Sequence, residues 1–356
     1  MAEGGAISRP SLRSLFTAAI MPILLSGCGA TLQLPFKVAA GQHFEATVTR
    51  EQRFSQGGEE LLREQAAVPV QIQVIAENDE GFVFVWHYGC LKSDRVDSPR
   101  SYLEQRIAGI GTGLLLLEGF DLHIQTDEYG RPRKLLNRFE LRAAVLKRVS
   151  ALRAELQRAA GKDPVVGGPY ERLFYEIESH DRFYAQEANL QVEMEILSDV
   201  LLLSAFNGEA LPLGHRDDYT RQTFSPIHAA PITTTGHVAI ADLDETAQKA
   251  WIEWGTSVDS ESYKESLAYA WAAYRAGAGA EAASEEMPDF DIRHFGVFEV
   301  DLATGQTRDA RIEQRSSVEG ELLQKITRVV QEPVANGRVI PKSKRTPAAC
   351  RPRPKA

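Results

Sequence analysis

The chain has 356 residues, of which 43% are apolar and 25% charged, with a formal net charge of −9. That is enough for a packed core in one large or two moderate domains, and the balance is that of a globular chain. Residues 1–27 carry +1, and residues 341–356 carry six basic side chains with no acid, which leaves −16 on residues 28–340. A body this acidic argues against nucleic acid as a partner.

The first 27 residues have three zones. Arg9 and Arg13 supply positive charge, residues 14–25 (SLFTAAIMPILL) are apolar or small, and Ser26, Gly27 and Cys28 follow. The apolar run fits a secretory signal; a spanning helix needs about 20 residues. Pro22 inside the run further disfavours a stable membrane helix. Leu25-Ser26-Gly27-Cys28 resembles the lipobox of bacterial lipoproteins. The resemblance implies that Cys28 receives a diacylglyceryl group, becomes the mature N-terminus and is acylated there with a fatty acid such as palmitate. It also implies a protein of the cell envelope, held to the membrane through Cys28. Gly29 stands where an aspartate favours inner-membrane retention in Gram-negative members, so the outer membrane facing the periplasm is the expected address.

Residues 28–42 read as a tether. A β-rich unit over 43–138 follows. His43 to Arg50 alternates like a half-buried strand, whereas 51–67 is rich in Gln, Glu and Gly and reads as a polar connection. Val68 to Ala76, a turn at Asn78-Asp79-Glu80-Gly81 and Phe82 to Tyr88 form a hairpin. Gly109-Ile-Gly-Thr-Gly113 lacks the spacing of a phosphate loop, and Leu114 to Leu117 does not read as the opening of a helix. Gly119 to Thr126 and Arg133 to Asn137, around a turn at Asp127 to Gly130, make a second hairpin.

Residues 139–206 read as a central helical hairpin. Leu141, Val145, Val149, Leu152 and Leu156 recur at helical steps as far as Ala160, and a second arm spans 170–206. Six bases stand on 138–158 and eight acids on 171–199, a pattern that favours an antiparallel pair of arms.

Residues 207–332 echo the first unit. Leu211-Pro212-Leu213 matches Leu34-Pro35-Phe36, and a hairpin runs from His237 to Ala241 and from Ala250 to Gly255. A helix is expected over 260–275, then a hairpin from Phe295 to Leu302 and Thr307 to Arg315 around Gly305, then a closing strand from Glu321 to Gln331. Aligning Gly305 on Gly130 places Phe295 on Phe120 and Arg308 on Arg133. The expected fold is therefore α+β: two diverged antiparallel β-hairpin units with curved sheets, separated by a central helical hairpin, with a basic disordered tail at 333–356.

No nucleophile motif, zinc spacing or complete glycine loop is present. Neither a cofactor nor a metal is expected, and the chain reads as non-catalytic. Glu176 and His180 are better read as a surface pair than as metal ligands. His215-Arg216-Asp217 matches a kinase loop in its first three letters alone. Trp86, His87, Tyr88, His123, Trp251 and Trp254, at strand ends rich in aromatics, are the candidates to line a ligand pocket. Cys90 and Cys350 could pair in an exported compartment. The expected role is binding of an apolar ligand or an envelope partner. The alternatives are an assembly scaffold and a hydrolase whose site converges only in three dimensions.

Overall fold

The computed structural model describes residues 30–91, 113–160, 193, 196–224, 231–268 and 287–332. Its strands are β1 (Thr31–Gln33), β2 (His43–Gln56), β3 (Glu59–Asn78), β4 (Gly81–Tyr88), β5 (Asp121–Thr126), β6 (Pro132–Leu135), β7 (Ala210–Pro212), β8 (Asp217–Phe224), β9 (Pro231–Asp244), β10 (Lys249–Val258), β11 (Phe290–Asp301), β12 (Thr307–Val318) and β13 (Glu321–Glu332). The helices are α1 (Leu114–Leu117), α2 (Arg138–Ala160), α3 (Ser198–Ser204) and α4 (260–268). None of these is long and apolar enough to cross a membrane.

Eleven strands form one antiparallel sheet in the order β6-β5-β4-β3-β2-β13-β12-β11-β10-β9-β8. Two meanders, β2–β6 and β8–β13, become one sheet because β13 pairs with β2 along twelve residues, from Glu321↔Gln56 to Glu332↔Glu45. This overturns the expected fold of two units separated by a helical hairpin. The chain is mostly β, and no helical hairpin exists among the described residues.

The turns follow residue chemistry. Gly57 and Gly58 both have positive φ (59° and 87°) and close the two-residue β2–β3 hairpin, a conformation that side chains disfavour. Asn78 Oδ1 accepts from the Glu80 amide at 3.0 Å in the β3–β4 turn. The stretch 51–67, expected as a loop, is therefore the end of β2 and the start of β3. Its polarity has a positional cause: Arg50, Gln52 and Glu64 lie on the buried face of the sheet beyond its apolar part.

Period-two burial gives the sheet an inner and an outer face. Val48, Val68, Val329, Ala310, Phe298 and Ile252 belong to one inner core. α2 covers that core with Leu141, Val145, Val149 and Leu152, the positions its periodicity picks out. Burying an aliphatic side chain contributes about 1.5–3 kcal/mol, against about 0–1 kcal/mol for an exposed ion pair. The apolar stripe therefore docks α2 on the sheet, whatever the opposite charges of 138–158 and 171–199 favour. The described part of the expected second arm, residues 193 and 196–206, contains the seven-residue α3, which packs on β12 and β13; residues 161–192 and 194–195 lie outside the described residues.

α1 is a single turn of four buried leucines starting at Gly113 (φ 75°), against the expectation that this stretch opens no helix. Arg148 of α2 donates to the carbonyls of Leu115 and Glu118 at its end and stacks on Phe120 at 4.4 Å. Part of the expected tether belongs to the body. β1 pairs with β7 (Leu32↔Leu211), Leu34 is fully buried, and Phe36 and Val38 pack on the core. The two Leu-Pro segments noticed in sequence thus come close: Leu211-Pro212 lies in β7, and Leu34-Pro35 directly follows its partner β1, with the Leu34 amide donating to Glu209 O at 2.8 Å.

Candidate functional site

Three structures converge on one cleft: the inner face of the sheet, α3, and the strap formed by residues 34–38. Its apolar wall comes from Phe36 and Val38 of the strap, Phe44 and Ile72 of β2 and β3, and Phe84 and Trp86 of β4. Val200 and Leu203 of α3 face them. The space is about 460 Å³, including the part open to solvent. The polar lining is Ser204, Asn207, Gln306, Thr307 and Gln331, and none of the lining residues is charged.

The strap is pinned by close backbone approaches. The Lys37 amide donates to Thr304 O at 2.9 Å, and Gln306 Nε2 donates to Lys37 O at 3.2 Å. Gly305 (φ 72°) passes so close that a Cβ there would sit 1.2 Å from Pro35 O, and a Cβ on Gly130 (φ 71°) would sit 2.2 Å from the Phe36 ring. The two turn glycines aligned in sequence therefore do related work, each packing closely on Pro35-Phe36.

α3 is fixed by a buried ion pair. Arg50 of β2 donates through Nη2 to both oxygens of Asp199 at 3.0 Å and to Ser198 Oγ at 3.0 Å. Tyr88 of β4 donates to Asp199 Oδ2 at 2.8 Å. Asp199 and Tyr88 are fully buried, and the Asp199 carboxylate with its loss of solvent finds compensation in three donors. Burial first, and then the Asp199 charge, hold the Tyr88 phenol well above its ordinary pKa, so it remains a donor.

Of the six pocket candidates, Trp86 lines the cleft, and Tyr88, on the same face, anchors α3. His87 points to the outer face, where Nδ1 lies 2.6 Å from Asp121 Oδ1. His123 pairs with Val85 on that outer face, and its amide is bonded by Asn137 Oδ1. Trp251, opposite Glu299, also faces outward. Trp254 faces inward in the other half of the sheet, where Nε1 donates to Tyr219 OH at 2.8 Å and the ring lies 6.4 Å from His294. The expected grouping of all six is therefore not what the fold brings together. Phe36, Phe44, Phe84, Asn207 and Thr307 were missed; the alternation of β2 and β4 marks Phe44 and Phe84, while Phe36, Asn207 and Thr307 carry no such signal in sequence.

Cys90 is disulfide-bonded. Cys28 and Cys350, the cysteines that could pair with it, lie outside the described residues, as do Glu176 and His180. Arg216 and Asp218 form an exposed ion pair at 2.6 Å beside His215, with no kinase-like surroundings. Among the described residues no group of three His, Cys, Asp or Glu side chains is placed to hold a metal.

No protein-family model matches the chain, and no curated protein matches it. Among solved structures, one described by the words lipid-protein interactions in lipovitellin matches with a TM-score of 0.40 at 8% identity, over 86% of this chain and 26% of the lipovitellin chain. The chain thus spans about a quarter of that protein's length.

Proposed function

We propose that this is a lipid-anchored envelope protein that holds an apolar ligand between its sheet and α3. The observation that carries the binding reading is the cleft itself. Eight apolar side chains line it, none of the lining residues is charged, and a helix locked by Arg50 and Asp199 forms one wall. Solvent-facing apolar surface of this kind gains from burying an acyl chain, at about 0.8 kcal/mol per CH₂.

Trp86 provides the test. Acyl chains brominated near mid-length quench tryptophan on contact. They should quench the fluorescence of the chain, and Trp86→Phe should remove most of that quenching. Leu203→Trp, which fills the cleft, should abolish binding. Quenching that is unchanged in both variants would place any bound chain elsewhere.

The anchor reading rests on the Leu25-Ser26-Gly27-Cys28 box and the charge and apolar run before it. It is tested by metabolic labelling with an alkynyl fatty acid, which Cys28→Ala should abolish. An alkylated Cys28 cannot enter a disulfide, so this reading requires Cys350 as the partner of Cys90. Non-reducing peptide mapping that joined Cys90 to Cys28 would sink the anchor.

A further inference from the structure

We infer that the outer face of the sheet, independently of the cleft, binds a linear polyanion of the acidic-polysaccharide class, laid across the strands along one row of arginines. Register fixes the row. Arg293 of β11 stands opposite Arg315 of β12, Arg315 opposite Gln324 of β13, Gln324 opposite Arg53 of β2, and Arg53 opposite Arg63 of β3. The four arginines point outward, since their chain neighbours His294, Ser316, Gln52 and Glu64 are buried on the inner face. At about 4.8 Å per strand the row is about 19 Å long, and no acid stands in it. Like charges directly opposite one another destabilise a strand pair, yet two Arg–Arg pairs stand in this one row.

The arginines are also oriented alike. Glu51-Gln52-Arg53, Asp291-Ile292-Arg293 and Glu313-Gln314-Arg315 share one spacing, which on a strand sets acid and arginine side by side on one face. Arg53 Nε donates to Glu51 Oε1 at 2.6 Å, Arg293 Nε to Asp291 Oδ1 at 2.7 Å, and Arg315 Nε to Glu313 Oε1. Arg63 reaches the same Glu51 oxygen at 2.7 Å, again through Nε. The Nη groups of all four make no hydrogen bond to another described residue. Those terminal groups match a carboxylate, and here they stay open on side chains whose freedom is already restricted. Carboxylates flank the row, Glu51 and Glu313 on one side and Asp291 and Glu60 on the other. The arginine side chains are 35–68% exposed, against 12% for Glu51 and 16% for Glu313, so over those two acids the cations form the outer layer. All five strands are paired on both sides, so a peptide cannot join them as a further strand. Single-stranded nucleic acid stacks on several aromatic rings, whereas one exposed ring, Phe295, flanks the row. A polysaccharide needs neither a sheet edge nor a stacking platform.

The test titrates the full chain, in a non-ionic detergent, into fluorescein-labelled decagalacturonate and follows anisotropy. The acid should bind about tenfold or more tightly than its methyl-esterified counterpart, and raising salt from about 50 to about 500 mM should weaken it. Arg53→Gln and Arg315→Gln should each weaken binding about fivefold, and the double variant more than about tenfold. Arg216→Gln removes an exposed, ion-paired arginine outside the row and should stay within about twofold. Exposed ion pairs contribute little, so all variants should melt with the unaltered chain, which separates loss of a contact from loss of the fold. Equal binding of the esterified chain, indifference to both row variants, or an equal loss in Arg216→Gln would overturn the proposal and leave a solvated face. Tighter, row-dependent binding of oligothymidylate or of polyglutamate would overturn the polysaccharide assignment in favour of nucleic acid or an acidic protein.

Discussion

Replacing Asp199 with Ala removes the acceptor for Arg50 and Tyr88 at once. Arg50 Nη2 loses both carboxylate oxygens at 3.0 Å, Nε loses its 3.3 Å bond, and Tyr88 OH loses its 2.8 Å bond. The Arg50 side chain is only 10% exposed, so solvent cannot replace what is lost. Removing one partner of a buried ion pair costs about 3–5 kcal/mol. At about 2 °C per kcal/mol for a domain of this size, the melting temperature should fall roughly 6–10 °C. Arg50→Met alone strands the carboxylate and should cost a similar amount. The double variant Arg50→Met, Asp199→Leu, which removes both charges of the pair, should regain most of the loss. Urea unfolding followed by circular dichroism measures all four proteins, and the coupling energy should reach several kcal/mol. α3 carries one wall of the cleft, so apolar-probe binding should weaken in each single variant and return in the double. A loss below about 1 kcal/mol for Asp199→Ala, or strictly additive effects, would refute the view that this pair fixes α3.

His294 is buried on the inner face, and burial pushes its pKa down to about 4. Above the ordinary value near 6.5 the ring is neutral in both folded and unfolded chains; below it the unfolded chain takes up a proton that the folded chain refuses. Stability should therefore fall from about pH 6.5 to about pH 4 by up to roughly 3 kcal/mol, and His294→Phe should flatten that slope in urea titrations. Gly305→Ala drives a Cβ into the Pro35 carbonyl and should displace the strap, lowering both stability and ligand binding. Gly58→Ala, with equal need for positive φ but open space around it, should cost only about 1–2 kcal/mol and leave binding alone; equal effects on binding would rule out the strap as a wall. Leu116→Ala, in the fully buried turn of α1, should cost about 2–5 kcal/mol by equilibrium unfolding.

Local pattern in the sequence determined a good deal. The hairpins around Asn78 to Gly81 and around Gly305 stand where turn chemistry places them, and the α2 stripe buries at Leu141, Val145, Val149 and Leu152. Alternation also held information about the pocket candidates. His87 sits between Trp86 and Tyr88, so in a strand it must face the other way; Trp251 and Trp254, three apart, fall on opposite faces for the same reason.

Tertiary structure alone decided which strands meet and what they enclose. β13 finds β2 across 265 residues, counted from Gln56 to Glu321, and Arg50 finds Asp199 across 149. Residues 51–67 form strands without an apolar alternation because their neighbours in the sheet, and their place on its buried polar end, hold them there. Asn207 and Thr307 line one cleft only because the chain just after α3 and the start of β12 are brought together there. A side chain's face follows from its two nearest neighbours in the chain; its partners follow from chain closure and burial over the whole sheet, which no local window contains.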